Sequence, residues 1–380
     1  MSDSTFTIGQ RVVEVTRMGG QGPSGGDGPT GPAGDVARAA TRTALAAIAG
    51  QAVGATRYLN EAGRQGVFEW DGSDLSAKVA ADPQQGVYIA PASAPTGVSG
   101  AWVRRFNGGL EASWFGFSPS ATASANVTAL NAALAYLKAT GPRFGGTPYV
   151  GGGILKIGRG EFSLNAAIDL FSTVRIEGEG GNDLGGYATT LKWNNTSSGF
   201  RVQRFNTEGD DTISSPTHDA GDGSMFRNLV LDGGFPTGQA TAAQLAGEGE
   251  RHGIEFKART KGENVIARNW GGDGFYSNTA AGSGLGVNEG NSNNWKLIDC
   301  TAQNCRIGLF LDGADSNAGY SVGFNAFGCR QWGIWDSSFL NNTHIATHTA
   351  ECGFTELSIA AYSGGIYSVV PGQEAWCSTN

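Results

Sequence analysis

A glycine followed by apolar residues recurs through the second half of the chain, and it constrains the fold more than any other feature. The copies are Gly253-Ile-Glu-Phe, Gly274-Phe-Tyr, Gly308-Leu-Phe-Leu, Gly333-Ile-Trp and Gly365-Ile-Tyr, at irregular intervals of 21 to 34 residues. A solenoid with coils of about 20 to 25 residues accommodates such variation, because insertions bulge from a turn without disturbing the stack. Cys305, Cys329 and Cys352 recur at 24 and 23 residues, as expected of a cysteine ladder inside a parallel β-helix, where cysteine acts as a small hydrophobe. Glycine is 61 of 380 residues, which suits a fold of many tight turns.

Neighbours along a strand point to opposite faces, so the repeat sorts into two columns. Ile254, Phe275, Leu309, Ile334 and Ile366 are expected to line the core. Glu255, Tyr276, Phe310, Trp335 and Tyr367 then point outward and stack coil upon coil. Tyr276, Phe310, Trp335 and Tyr367 are the candidate glycan-binding residues, since a flat apolar ring stacks on a pyranose. Burial between subunits explains the same column equally well, because aromatics are enriched at interface cores.

A second periodicity lies near the N-terminus. Gly19, Gly22, Gly25, Gly28, Gly31 and Gly34 keep a strict three-residue spacing, with Pro23, Pro29 and Pro32 each following a glycine. Three polyproline-II chains close around one axis only when every third residue lacks a side chain, so the stretch reads as a collagen-like triple helix and the protein as a homotrimer. Asp35 then caps a helix from Ala37 to about Ala49, with Leu45 and Ile48 at coiled-coil spacing. Phe6 to Val15 alternates as one exposed strand, suited to attachment to something larger. The divisions expected are residues 1–18 for attachment, 19–35 collagen-like, 36–55 short helix or coiled coil, 56–118 a β-rich adaptor, 119–141 a capping helix and 142–380 the parallel β-helix. The capping helix spans about Asn126 to Ala139, with Leu130, Leu134 and Leu137 on one face.

The formal net charge of −8 argues against non-specific nucleic-acid binding. No apolar run is long enough to span a membrane, and Met1 to Gln10 lacks the pattern of a secretory signal. Five cysteines without such a signal read as reduced and buried. No metal site is expected: Cys300 and Cys305 are spaced unlike Cys-x-x-Cys, and His344 and His348 have no nearby partner set. No cofactor is expected.

The region from Tyr58 to Gly116, with the helix after it, carries a family resemblance. Trp70, Asp71, Ser73, Asp82, Pro83, Gly86, Pro91, Gly100, Trp102, Val103, Arg104, Trp114, Phe115 and Gly116, then Asn126, Thr128, Ala129 and Leu130, resemble phage tailspikes and related virion spikes of the pectate-lyase-like superfamily. The resemblance covers most of the chain after residue 56. It implies an all-β, homotrimeric, right-handed single-stranded parallel β-helix that recognises a bacterial surface polysaccharide, often with glycosidase or lyase activity. It further implies a virion protein, assembled in the host cytoplasm, whose N-terminus joins tail or capsid proteins. The chain departs from the pattern in stopping at Asn380 without a separate C-terminal trimerising domain, and in carrying Ser124 to Thr128 where an acidic pair is common.

Glycoside cleavage needs two carboxyls facing one bond, about 5 Å apart for retention and about 6.5 to 9.5 Å for inversion. Glu255 and Asp312 are the candidate catalytic pair, both outward and two coils apart. Asp336 falls one position out of phase with Asp312 and should face inward or into a turn. His252 and Asp273, each just before a repeat glycine, form either a turn brace or an acid/base pair. Lys257 is the one outward base for an elimination, which favours hydrolysis over lysis. Three functions therefore stand: attachment to surface polysaccharide, its hydrolysis on the same scaffold, and a structural decoration of capsid or tail.

Overall fold

The computed structural model describes residues 5–8, 11–14, 37–141, 152–180, 188–194, 197–204, 221–236, 251–279, 290–313, 315–338, 342–352 and 374–376. The chain divides into two units, Met1–Ala37 and Arg38–Asn380. In the first, Thr5–Ile8 and Arg11–Glu14 pair antiparallel, two strands where the alternation suggested one. The collagen-like run lies outside the described residues.

The second unit begins with a five-stranded sheet ordered Arg38–Ala39, Thr56–Leu59, Gly66–Asp71, Ala101–Arg104 and Tyr88–Ile89. Its inner face carries Phe68, Trp70 and Trp102, with the two indoles edge-on at 5.4 Å. The helix expected from Ala37 is shorter. Thr41, in extended conformation, accepts a bond from the Ala44 amide and starts helix α1 (Arg42–Ala46), while Arg38–Ala39 ahead of it joins the sheet beside Tyr58–Leu59. Five residues are too few for a coiled coil. Leu45 is instead fully buried in its own chain's core with Leu59, Trp70 and Trp102.

Several residues that carry the family resemblance hold this sheet together. Arg104 donates to the carbonyls of Gly86, Gln65 and Arg64 and lies against the rings of Phe68 and Trp114. Asp82 accepts the amides of Gly86, Val87 and Tyr88. After the short helix α2 (Ser76–Ala80), helix α3 (Ala123–Thr140) covers the first coil of the solenoid, capped by Thr122 and burying Leu130, Leu134 and Leu137. Asn126, fully buried, donates to the carbonyls of Ser118 and Ser163 and so ties the helix to that coil.

The remainder is a parallel β-helix. One wall stacks strands β1 (Ile168–Leu170), β2 (Phe200–Val202), β3 (Ile254–Phe256), β4 (Phe275–Asn278), β5 (Ile307–Gly313) and β6 (Trp332–Ser338), all parallel. Two further strands precede each wall strand in the later coils, Lys296–Ile298 and Thr301–Gln303 before β5, and Tyr320–Val322 and Asn325–Phe327 before β6. The bends between them repeat a left-handed residue: Asp299 and Asn304 in one coil, Gly323 and Gly328 in the next, Ala346 and Glu351 in the third. Asparagine tolerates that conformation and braces it across coils, with Asn264 donating to Asn228 at 2.9 Å and Asn304 to Asn269 at 3.2 Å.

The inward column matches the sequence expectation and extends it. Ile168, Phe200, Ile254, Phe275, Leu309 and Ile334 are register partners and all buried. Cys305, Cys329 and Cys352 lie in the core as free thiols, as does Cys300. Burial pushes the Cys300 and Cys305 thiols up to about 12, which keeps them protonated. The place of Ile366 is outside the described residues. The strand beside β6 on its far edge is β7 (Glu374–Trp376), and it runs antiparallel.

The repeat glycines are explained by close approach. A Cβ on Gly199 would sit 2.2 Å from the Gly253 carbonyl oxygen, one on Gly253 2.5 Å from that of Gly274, and one on Gly308 2.4 Å from that of Gly333. Gly253→Ala is therefore expected to destabilise the fold by about 1–3 kcal/mol, lowering the urea midpoint of unfolding. Gly158→Ala, whose Cβ would meet nothing within 4 Å, is expected to leave it unchanged.

Candidate functional site

The wall built from β1 to β6 turns a second column outward. Asp169, Arg201, Glu255, Tyr276, Phe310 and Trp335 are successive register partners. The three aromatics stack on one another: Tyr276 and Phe310 have centroids 5.3 Å apart at 22°, and Phe310 and Trp335 are 5.1 Å apart at 31°. The His252 imidazole continues the stack above Tyr276 at 4.3 Å, and Trp332 meets Trp335 edge-on at 6.0 Å. All three column aromatics are half-buried. Because parallel strands repeat every 4.7 to 4.9 Å or so, the ring spacing is the strand spacing, and the ladder follows directly from the register.

Stacking uses up the ring faces. What the ladder leaves toward solvent is a ridge of ring edges.

Glu255 and Asp312 lie on β3 and β5, two strands apart, as the repeat phasing anticipated. Strand spacing separates them by about 9.6 Å along the stack, and Asp312 lies two residues beyond the Phe310 position that is in register with Glu255, about 6.7 Å further across it, which places their backbones beyond the range for inversion. Tyr276 stands between them. Its hydroxyl donates to Asp312 Oδ2 at 3.3 Å, and Ser337 Oγ donates to Asp312 Oδ1 at 3.4 Å. Lys257 Nζ lies 3.9 Å from Glu255 Oε1. Burial, followed by the charges of Asp312, Asp273 and Glu255, raises the Tyr276 pKa well above that of an ordinary phenol. The phenol is therefore a standing proton donor to Asp312.

Behind the ladder, Asp273 is fully buried and gripped at both oxygens by Arg306, at 2.8 and 2.6 Å. His252 Nδ1 accepts the Asp273 amide at 3.1 Å and lies 3.3 Å from Asp273 Oδ2. Of the two roles expected for His252 and Asp273, the geometry is that of a brace, with His252 itself buried. Burial pushes the Asp273 carboxyl up, but bonds and charge from His252 and Arg306 outweigh it and hold the pKa below the usual range. Asp336 faces inward, as its phase required: it is the register partner of Leu311, accepts from Asn342 at 2.9 Å and from the Ser338 amide at 3.0 Å, and is likewise held low despite burial.

The structure thus brings Glu255, Tyr276, Asp312, Phe310 and Trp335 onto one face. Tyr367 lies outside the described residues, and the register partner of Trp335 on its far side is Ala375. The sequence reading missed two members of this column and named His252 without its place in the stack. Asp169 and Arg201 belong to the same column but are separated from Glu255 by long insertions. The motif Gly199-Phe-Arg-Val was the available signal. His252 joins the stack from the position preceding a repeat glycine, where alternation gives no hint of it. Among the described residues, no group of three or more His, Cys, Asp or Glu side chains is placed to hold a metal ion, and no helix is long and apolar enough to cross a membrane.

No protein-family model matches the chain, and no curated protein matches it. Among solved structures, the chain is similar to the tailspike protein gp49 of Acinetobacter baumannii bacteriophage Fri1, described as a capsular polysaccharide depolymerase, at 14% identity and a TM-score of 0.48, covering 83% of this chain and 62% of that one. It is also similar to the tailspike of Acinetobacter phage vB_ApiP_P1, at 15% identity and TM-score 0.44, covering 84% and 56%. A third is WceF of Pantoea stewartii, described as a glycan biofilm modifying enzyme with a tailspike-like parallel β-helix fold, at 14% identity and TM-score 0.40, covering 90% and 53%. The chain thus spans between half and two thirds of the length of these proteins. The parallel β-helix itself stands on the strand register described above.

The lowered carboxyls give a signed pH dependence. A carboxyl whose folded pKa lies below its unfolded value stabilises the fold above the unfolded value, and that contribution is lost as pH falls through the folded one. Asp273 and Asp336 are both of this kind. The thermal midpoint is therefore expected to fall as pH drops below about 4, and Asp273→Asn should be less stable at pH 7 with a shallower acid slope, read by circular dichroism.

Proposed function

We propose that this chain belongs to a virion spike that attaches to bacterial surface polysaccharide through the outward wall of β3 to β6. The observation that carries the reading is the half-buried stack of Tyr276, Phe310 and Trp335, a ridge of aromatic edges on successive strands with carboxylates and a lysine beside it. An extended apolar ridge with flanking hydrogen-bonding groups suits a linear polymer of amphipathic rings. The collagen register of Gly19 to Gly34 supports a homotrimer, and the N-terminal unit is the part assigned to tail or capsid proteins. A featureless polar face would have favoured a purely structural decoration protein, and this wall is not one.

One observation favours a second reading, hydrolysis of the same glycan. Glu255 and Asp312 flank Tyr276 from strands two apart, and the Tyr276 hydroxyl bonds one of them. In that chemistry one carboxyl protonates the leaving oxygen while the other activates water on the opposite side of the sugar. Elimination has less support, because Lys257 lies against Glu255.

The test is incubation of the purified full chain with surface polysaccharides from candidate hosts, measuring binding and then sizing the glycan by mass spectrometry. Attachment predicts binding that falls about tenfold or more in Trp335→Ala, on the scale of one aromatic side chain. Hydrolysis adds shortened chains carrying one added water, lost in both Glu255→Gln and Asp312→Asn. Binding that survives Trp335→Ala and Tyr276→Ala together would remove the wall from both readings.

A further inference from the structure

The cysteine ladder inside the β-helix ends in a pair of thiols that the outward wall does not use. Phe327 and Ala350 are register partners on adjacent strands, and Cys329 and Cys352 each follow two residues later, after the left-handed Gly328 and Glu351. The two cysteines are therefore one coil apart, about 4.8 Å along the stack, inside the range of about 4.4 to 6.8 Å between Cα atoms that a disulfide spans. Both are free and fully buried. Their side chains are hydrogen-bonded to each other, the Cys329 S–H donating to Cys352.

That bond divides the pair chemically. It holds the Cys352 thiol below its usual range against the opposing effect of burial, and it pushes Cys329 well above. Cys352 is thus the sulfur that ionises, and Cys329 the one that keeps its proton. The other core cysteines are placed differently. Cys305 donates to the Gln303 carbonyl at 3.4 Å, and Cys300 has Phe324 in its place one coil on, because Thr301 pairs with Asn325.

The coil that carries Cys352 is also less firmly sealed than the one before it. Its inward positions are His344, Thr347 and Thr349, where the preceding coil has Ser321, Phe324 and Ala326. His344 Nε2 and Thr347 Oγ1 are buried without a hydrogen bond, the former 3.9 Å from Asp336 Oδ2. Unsatisfied groups lower the cost of local opening, and opening this coil uncovers the Cys352 thiol.

We propose that Cys329 and Cys352 are a redox pair that closes into a disulfide between adjacent coils, with a small-molecule disulfide such as oxidised glutathione as the oxidant. The Cys352 thiolate attacks one sulfur of that disulfide and expels a glutathione thiolate, leaving a mixed disulfide on Cys352. Cys329 then gives up its proton, its sulfur attacks the Cys352 sulfur, and the second glutathione thiolate leaves. Two protein thiols are oxidised, one glutathione disulfide is reduced, and the protons lost by Cys352 and Cys329 end on the two glutathione thiols. The bond ties residues 342–352 to the coil before them. The inference is independent of what the outward wall binds.

The test incubates the reduced full chain with oxidised glutathione at about pH 8, where thiols begin to ionise. Remaining thiols are trapped with maleimide in denaturant, and the protein is cut with trypsin and chymotrypsin and mapped by mass spectrometry without reductant. The expected result is one intramolecular link between the peptides of Cys329 and Cys352, with maleimide on Cys300 and Cys305. The thermal midpoint should rise above that of the reduced protein and return on adding dithiothreitol. Cys352→Ala and Cys329→Ala should each abolish the rise, and Cys305→Ala should keep it. Should a variant fail to fold, the peptide map of the unaltered chain decides alone. Maleimide on every cysteine, a glutathione adduct that persists on Cys352, or a link joining Cys305 to Cys329 would overturn the proposal.

Discussion

The approach of each repeat glycine to the carbonyl of its counterpart in the next coil is the constraint on which the rest of the β-helix wall depends. Gly199, Gly253, Gly274 and Gly308 each lack the room for a Cβ, because the next glycine's carbonyl oxygen stands 2.2 to 2.9 Å from where it would be. These contacts fix the point at which every coil enters the wall. Once that is fixed, alternation decides the rest: the next residue goes into the core and the one after it faces out. A slip of one residue would bury Glu255 and Tyr276 and expose Ile254 and Phe275, so the site and the core are specified together.

The outward wall spends part of its own chemistry on structure. Ring faces are committed to one another, and the buried Asp273, gripped by Arg306 and facing His252, anchors the top of the stack. What remains for a ligand is a ridge of edges and two carboxylates around a protonated phenol. Long stretches of sequence separate some wall strands, such as β2 and β3, and the strands keep their register all the same.

Much of this was legible in the sequence because a solenoid writes its register as a repeat. The inward column from Ile254 to Ile334, the outward column from Glu255 to Trp335, the inward turn of Asp336 and the buried cysteines all follow from glycine position and strand parity. The failures have physical causes. Thr41 outcompetes Asp35 as a cap, so the expected helix shortens to five residues and Leu45 packs within its own chain. Tyr367, the expected end of the ladder, lies outside the described residues, and the strand beside β6 is the antiparallel β7. His252 joins the aromatic stack through a turn, an arrangement that leaves no periodic trace.

The most direct test of the central claim, that the outward wall is where glycan docks, is a crystal structure of the full chain soaked with an oligosaccharide cut from a polysaccharide it binds. Sugar density running along Tyr276, Phe310 and Trp335 is the result this account predicts. Sugar bound on another wall of the β-helix, with the aromatic ridge bare, would contradict it.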